Sequence, residues 1–189
     1  MLQLKSDLMP QNKIIDLDVF SFKDKLGKTW YVVFYFIDDV FSDEYKKIHI
    51  RLFEKRESYL KLRLNYHYTH WGVLLKKTII EMQDIELEEE IRNRGITTRL
   101  LFILCKLFSN INELYATHCK HGAITFWKKI GFTKTDDGTE YKIKTFEFLE
   151  KYDYLNKDVV NGKNIKDCED LNEIDECLGR EMILGSIHH

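Results

Sequence analysis

The sequence predicts a mixed α/β fold: a strongly twisted central sheet with flanking helices, a strand-rich N-terminal part and a helical C-terminal extension. Three observations carry this. Residues 14–65 hold four runs rich in β-branched and aromatic residues, separated by polar breaks. Residues 78–117 then read as strand, glycine turn, amphipathic helix and strand, the pattern of a right-handed crossover. With 44% hydrophobic and 13% aromatic residues and a single proline, the composition is that of a packed globular body.

The four N-terminal strands are expected over Ile14 to Phe20, Thr29 to Ile37, Lys47 to Phe53 and Tyr59 to Asn65. Tyr59 to Leu64 alternates apolar and polar residues, as a half-buried strand should. Between the first two runs stands only the short linker Asp24 to Lys28. Thr78 to Leu87 is the expected central strand. Its apolar phase runs through Ile80 and Met82 and then moves to Ile85 and Leu87. Strand side chains alternate with period two, so the slip implies an extra residue, a bulge near Gln83 and Asp84, or else a slightly irregular edge.

The next helix carries Leu100, Leu101, Leu104, Leu107 and Phe108 on a broad core-facing stripe, and Ile111 to Thr117 follows as a strand. In a later helix Ala123, Phe126, Trp127 and Ile130 fall at i, i+3, i+4 and i+7. Gly131 suits the left-handed position after its end, and Phe132 can fold back over it. Thr133 to Asp136 and Glu140 to Phe148 read as a hairpin around the turn pair Asp137-Gly138. Residues 151–189 are more polar, with one helical candidate from Lys166 to Met182. The organisation expected is a binding domain over residues 1–150 and a C-terminal extension over 151–189, packed on the same domain.

Net charge is −2, from 29 basic and 31 acidic residues, so no global basic field points to nucleic acid. No stretch has the length of a membrane span, and Met1 to Asp7 lacks the basic-then-apolar run of a secretion signal, so a cytoplasmic protein with neither nucleic-acid nor membrane partners is expected. Cys105, Cys119, Cys168 and Cys177 form no CxxC pair and read as free thiols.

The functional reading centres on Ile85 to Leu101. A turn feeding a helix N-terminus aims unpaired backbone N–H groups at one place, where the helix dipole also favours negative charge, and so can hold a pyrophosphate. Arg92 and Arg94 stand beside it as cationic arms. The segment resembles the acyl-CoA pyrophosphate loop of the GNAT acetyltransferases, whose pattern is Gln or Arg, two residues, Gly, one residue, then Gly or Ala. Arg92 and Gly95 match, and Thr97 departs. Ala123 to Phe132 resembles the later helix of that family with its closing Gly-Phe, and the likeness spans roughly residues 78–132.

The resemblance implies acetyl-CoA as cosubstrate and a primary amine of a small molecule or protein as acceptor; no metal is expected, since a site on His118, Cys119 and His121 would lack a fourth ligand in regular spacing. It implies that backbone N–H groups of Arg94, Gly95, Ile96 and Thr97, with Thr98 in the same turn, hold the pyrophosphate. Ile85 and Leu87 would lie along the pantetheine arm, Leu87 offering a main-chain donor to the thioester oxygen. The family's helices between its first two strands are replaced here by a short linker, so the acceptor region would be rebuilt from hairpins.

The candidate general base is Glu81, at the position of the glutamate base of histone-type members, with Asp84 and Glu86 as neighbours; each also fits a solvated strand carboxylate. His118, Cys119 and His121 cluster before the later helix, where an imidazole can shuttle protons and a cysteine could form an acyl intermediate. Many members carry a tyrosine acid where this chain has Trp127, whose indole supplies no useful proton and suits packing or cofactor stacking. Lys120 stands where an asparagine is frequent. Tyr66 to Trp71 fits an acceptor-cleft wall or ordinary aromatic packing. Thr97 and Thr98 fit an N-cap as well as a phosphate contact. The function expected is N-acetyl transfer, the alternative a catalytically weak CoA-binding or protein-interaction domain; a homodimer is compatible with either.

Overall fold

The computed structural model describes residues 14–37, 46–56, 63–67, 69–119, 121–162, 172–174 and 176. Strands β1 (Ile14–Lys23), β2 (Thr29–Ile37) and β3 (Lys46–Arg56) form an antiparallel meander. The β1–β2 connection needs no helix because Asp24 closes it locally. Its buried carboxylate accepts the N–H groups of Leu26 and Lys28 at 2.8 and 2.9 Å, while Gly27 supplies φ +78°.

On the far side of β3 two strands share its length, β4 (Arg63–His67) against residues 52–56 and β5 (Thr69–Lys76) against residues 46–48. The sequence reading did not predict β5. β6 (Ile79–Leu87) pairs antiparallel with β5, and the pairing slips where Gly72 faces Asp84 but Val73 faces Met82. Gln83 is therefore the extra residue of the bulge that the phase slip predicts. Opposite it a Cβ on Gly72 would sit 3.1 Å from the Asp84 nitrogen, so glycine lets the bulged backbone approach.

A 3₁₀ turn (Glu89–Ile91) leads into α1 (Ile96–Leu107), which returns to β7 (Glu113–Ala116), parallel to β6. Then come α2 (His121–Ile130), β8 (Thr133–Lys134), β9 (Tyr141–Lys144), α3 (Thr145–Lys151) and β10 (Val159–Asn161). The sheet order is β10-β1-β2-β3-β5-β6-β7-β9-β8, with β4 beside β3, and β6–β7 is the one parallel pair among the described strands. The predicted strand from Glu140 to Phe148 ends instead at Lys144. Thr145, Phe148 and Tyr152 then turn inward at helical spacing, and Phe146 is left 61% exposed.

α1 is buried from Arg99 through Cys105, so it is apolar nearly all round rather than along one stripe. It is an internal helix, touching α3 and sharing a core with Trp30, Val32, Phe34, Ile48, Ile50, Leu52, Ile80 and Met82. Each such side chain contributes about 1.5–3 kcal/mol by leaving water. This rigid block holds the N-terminus of α1 against the sheet. No helix among the described residues is long and apolar enough to cross a membrane.

The 150/151 boundary falls inside α3, and β10 forms the sheet edge by pairing with β1, Phe20 opposite Asn161 and Phe22 opposite Val159. Most of the helical candidate Lys166 to Met182 lies outside the described residues. Within it 172–174 and 176 are helical, and Ile174 is buried.

Candidate active site

β6 and β7 stay paired only as far as Met82 and Ala116, with one further bond from Thr117 N–H to the Met82 carbonyl at 3.0 Å. Beyond that the bulge carries β6 toward β5, and the two parallel strands part. The gap opens into a cleft of about 860 Å³. Gln83 to Leu87 form one wall; Thr117, His118, Cys119, Ala123, Phe126 and Trp127 form the other; residues 91–93 and 95–99 close one end. Ile85 and Leu87 are half-buried in its lining.

The closing loop is shaped by one buried anchor and two left-handed residues. Ile91 is buried and anchors the 3₁₀ turn, Asn93 adopts φ +62° and Gly95 φ +77°. Gly95 is the N-cap of α1, no side chain caps that helix, and its first turn holds no acidic residue. The N–H groups of Ile96, Thr97 and Thr98 thus meet the cleft where the dipole is positive. The capping role considered for Thr97 and Thr98 does not hold. Both lie inside the first helical turn, past the cap, and line the cleft.

The cations are distributed differently from the sequence expectation. Arg92 lines the cleft and its Nε donates to the Leu87 carbonyl at 2.8 Å, tying the loop to the end of β6. Arg94 is not an arm over the cleft. Its guanidinium turns away to Glu54 at 3.4 Å and Asp24 at 3.8 Å and lies over the Trp30 ring, because two buried carboxylates there require a counter-charge. Two cations not singled out in the sequence flank Gly95 instead. A Cβ on Gly95 would lie 2.8 Å from Arg99 Nη1 and 3.0 Å from Lys25 Cε. Arg99 carried one readable signal, standing one helical turn after Gly95; Lys25 is seventy residues upstream and had none. Tyr152 and Tyr154 also line the cleft, the latter 57% exposed.

Glu81 precedes the bulge, on the face opposite Ile80 and Met82, and is not part of the cleft lining. Its carboxylate is engaged by Lys76 Nζ, by Gln83 Nε2 at 2.9 Å and by Thr117 Oγ1 at 3.4 Å. Burial alone would raise its pKa, but those hydrogen bonds and the Lys76 charge outweigh it and hold the carboxyl below its ordinary value. Thr117 also lies 3.3 Å from His118 Nδ1, so a hydrogen-bonded path runs from Glu81 through Thr117 to the cleft wall. Glu86 is exposed on the β6 wall, opposite His70 on β5.

His121 opens α2, but its side chain lies outside the described part of the structure, as do Lys120 and the side chains of residues 66–69. Cys119 Sγ donates to the Ala116 carbonyl at 3.4 Å, and burial, with Glu140 nearby, raises the thiol pKa, which disfavours the thiolate that an acyl-cysteine route needs. Trp127 is 5% exposed, its ring 5.0 Å from Phe126 and 4.9 Å from Phe132, and its edge reaches the cleft. No group of three or more histidine, cysteine or carboxylate side chains suited to a metal occurs among the described residues.

The arrangement is GNAT-like: a bulged central strand, a splay from its parallel neighbour, and a glycine loop at the N-terminus of the connecting helix. No protein-family model matches the chain, and no curated protein matches it. Among solved structures, Tetrahymena GCN5 is similar at 16% identity over 56% of this chain and 71% of that one, with a TM-score of 0.35. A chain of the KacTA–DNA complex is similar at 10% identity over 60% and 76%, TM-score 0.36. AtaTR bound with AcCoA is similar at 10% identity over 66% and 74%, TM-score 0.34.

Proposed function

We propose that this chain is a GNAT-type N-acyltransferase that takes an acyl group from acetyl-CoA, or a close relative, to a primary amine. One observation carries the reading: a single cleft runs from the splay of β6 and β7 to the N-terminus of α1. The residues fit the donor at both ends. The diphosphate suits the N–H groups of Ile96, Thr97 and Thr98, with Gly95 leaving the space that a Cβ would fill. An amide-bearing arm suits the side of β6 from Gln83 to Leu87 that β7 no longer pairs, since an extended chain adds there as a strand would.

Acetyl-CoA supplies an activated acyl thioester. Main-chain donors at Ile85 and Leu87 are the groups available to polarise its carbonyl. Glu81 stands on the other face of the splay, reached through Thr117. An ammonium approaching from that face would meet an ionised carboxylate able to orient it and accept its proton, directly or through water. No phenol stands at Trp127, so the leaving thiolate would take its proton from solvent or from one of the cleft tyrosines, Tyr152 and Tyr154.

The alternative is a CoA-binding domain with weak chemistry, favoured by Trp127 and by the engagement of Glu81 with Lys76. Two measurements separate them. Thermal stabilisation by CoA tests the site, and amine-dependent release of CoA thiol across an amine panel tests the chemistry. Stabilisation without release selects the binder; absence of both rejects the donor.

A further inference from the structure

Between the β1–β2 turn and the glycine loop the charges divide into two sets. Asp24, Glu54, Lys28 and Arg94 form a group of two carboxylates and two cations. Lys28 Nζ reaches Glu54 at 2.8 Å, Arg94 lies against both carboxylates, and Trp30 Nε1 donates to Asp24 at 3.1 Å. Asp24 and Glu54 are 4% and 2% exposed, so this group is an internal brace rather than a surface patch. It joins β1, β2, β3 and the loop before α1. The turn is also bonded to that loop directly, Lys25 N–H to the Arg94 carbonyl at 3.1 Å.

The second set faces the cleft. The stem of Lys25 lies across Gly95, and its ammonium has no carboxylate partner among the described residues. Beneath Gly95 is Arg99, 8% exposed. Its Nη1 donates to the Gly95 carbonyl at 3.3 Å, its Nη2 is 3.8 Å from Asp158, and its Nε is buried without an acceptor. A nearly buried cation only partly compensated, beside a second cation and a helix N-terminus, is a site built for a multiply charged anion.

We propose that Lys25, carried on the β1–β2 turn, is a phosphate-binding residue of this site together with Arg99, and that Arg94 is the positioning residue that holds it there through Asp24 and Glu54. The ligand class is an organic diphosphate. The inference rests on the acyl-CoA reading for its ligand, and the test separates the two.

The experiment is calorimetric titration of the full chain with CoA, ADP and inorganic pyrophosphate, for the parent and for Lys25→Ala, Lys25→Arg, Arg94→Leu, Arg94→Lys and the double variant Lys25→Ala/Arg94→Leu. Lys25→Ala is expected to weaken CoA and ADP about tenfold, and Lys25→Arg to recover most of that. Arg94→Leu is expected to cost a similar factor, Arg94→Lys less, and the double variant no more than the larger single loss. Unchanged CoA affinity in Lys25→Ala overturns the assignment while leaving the acyl-CoA reading intact. Lys25-dependent binding of ADP or pyrophosphate without CoA binding supports the anion site and rejects the acyl-CoA reading. Losses that add in the double variant reject the positioning role of Arg94, and a parent that binds none of the three ligands rejects the site altogether. If Arg94→Leu does not fold, Arg94→Lys with and without Lys25→Ala gives the same comparison.

Discussion

Glu81 on β6 and Thr117 just past β7 meet at the last rung before the strands part, Thr117 Oγ1 lying 3.4 Å from Glu81 Oε1. Thr117 lines the cleft and Glu81 does not, so this hydroxyl joins a carboxylate on one face of the sheet to the cleft on the other. Burial raises the pKa of that carboxylate, and Lys76, with Gln83 and Thr117, lowers it. If Glu81 accepts the amine proton, Glu81→Gln should lower the amine-dependent rate by roughly 10² to 10⁴ while CoA binding survives.

The same pair sets a pH prediction. Hydrogen bonds and the Lys76 charge outweigh the effect of burial and depress the Glu81 pKa; removing Lys76 leaves burial less opposed, so the pKa rises. Lys76→Ala should therefore move the acid limb of kcat/KM to higher pH. For stability the sign is that of any depressed carboxyl. The contribution is present above the unfolded pKa and is lost as pH falls through the folded one, a window that Lys76→Ala should narrow. An acid limb that stays in place in Lys76→Ala would remove Glu81 from proton transfer.

Gly95 carries both a backbone and a space requirement. At φ +77° an L-residue costs about 1–2 kcal/mol, and the new methyl would lie 2.8 Å from Arg99 Nη1. Gly95→Ala should lower stability by about that amount, and Gly95→Asp should also place a negative charge where the phosphate belongs. Saturating CoA at a hundred times its Kd should stabilise the parent by about 2.7 kcal/mol. Thermal melts with and without CoA measure both effects; a full CoA shift in folded Gly95→Asp would reject the cradle.

What the sequence made legible were features with local periodicity. The phase slip at Gln83, the helix over α1, the turn at Asp137-Gly138 and the Gly131-Phe132 helix end all arise from neighbours within a turn or a strand pair. Phe132 N–H does close back on the Trp127 carbonyl at 3.0 Å. What stayed hidden depended on distant partners or on ambiguous periods. Thr145 to Phe148 alternates like a strand for four residues, and only Leu149 and Tyr152 reveal the helical spacing. β5 carries Gly72 in its middle, which breaks the strand pattern until the bulge across from it explains the glycine. Arg94 reads as a free arm because the carboxylates that claim it lie forty and seventy residues earlier.

The two described thiols should differ in reactivity from an ordinary cysteine. Burial pushes Cys105 up to about 12, and Cys119 is raised as well. Cys105 should resist iodoacetamide at pH 8 in the native protein and react once the chain is unfolded, with Cys119 slow in the native protein. Peptide mapping by mass spectrometry reads both sites; rapid native modification of Cys105 would contradict its place inside α1.

Trp127 separates enzyme from binder. Its ring fills the space between Phe126 and Phe132, so Trp127→Phe should lower stability modestly and Trp127→Ala by about 3–5 kcal/mol. Its edge also reaches the cleft, so Trp127→Tyr would set a phenol near the wall of the gap. If thiolate departure needs no side-chain acid, the parent turns over readily and tyrosine adds little. If the chain has lost its chemistry for want of that acid, tyrosine alone should restore turnover. CoA release measured at several pH values with an amine panel decides it: ready amine-dependent release by the parent rejects the weak binder, whereas release by the tyrosine variant alone rejects the proposed enzyme.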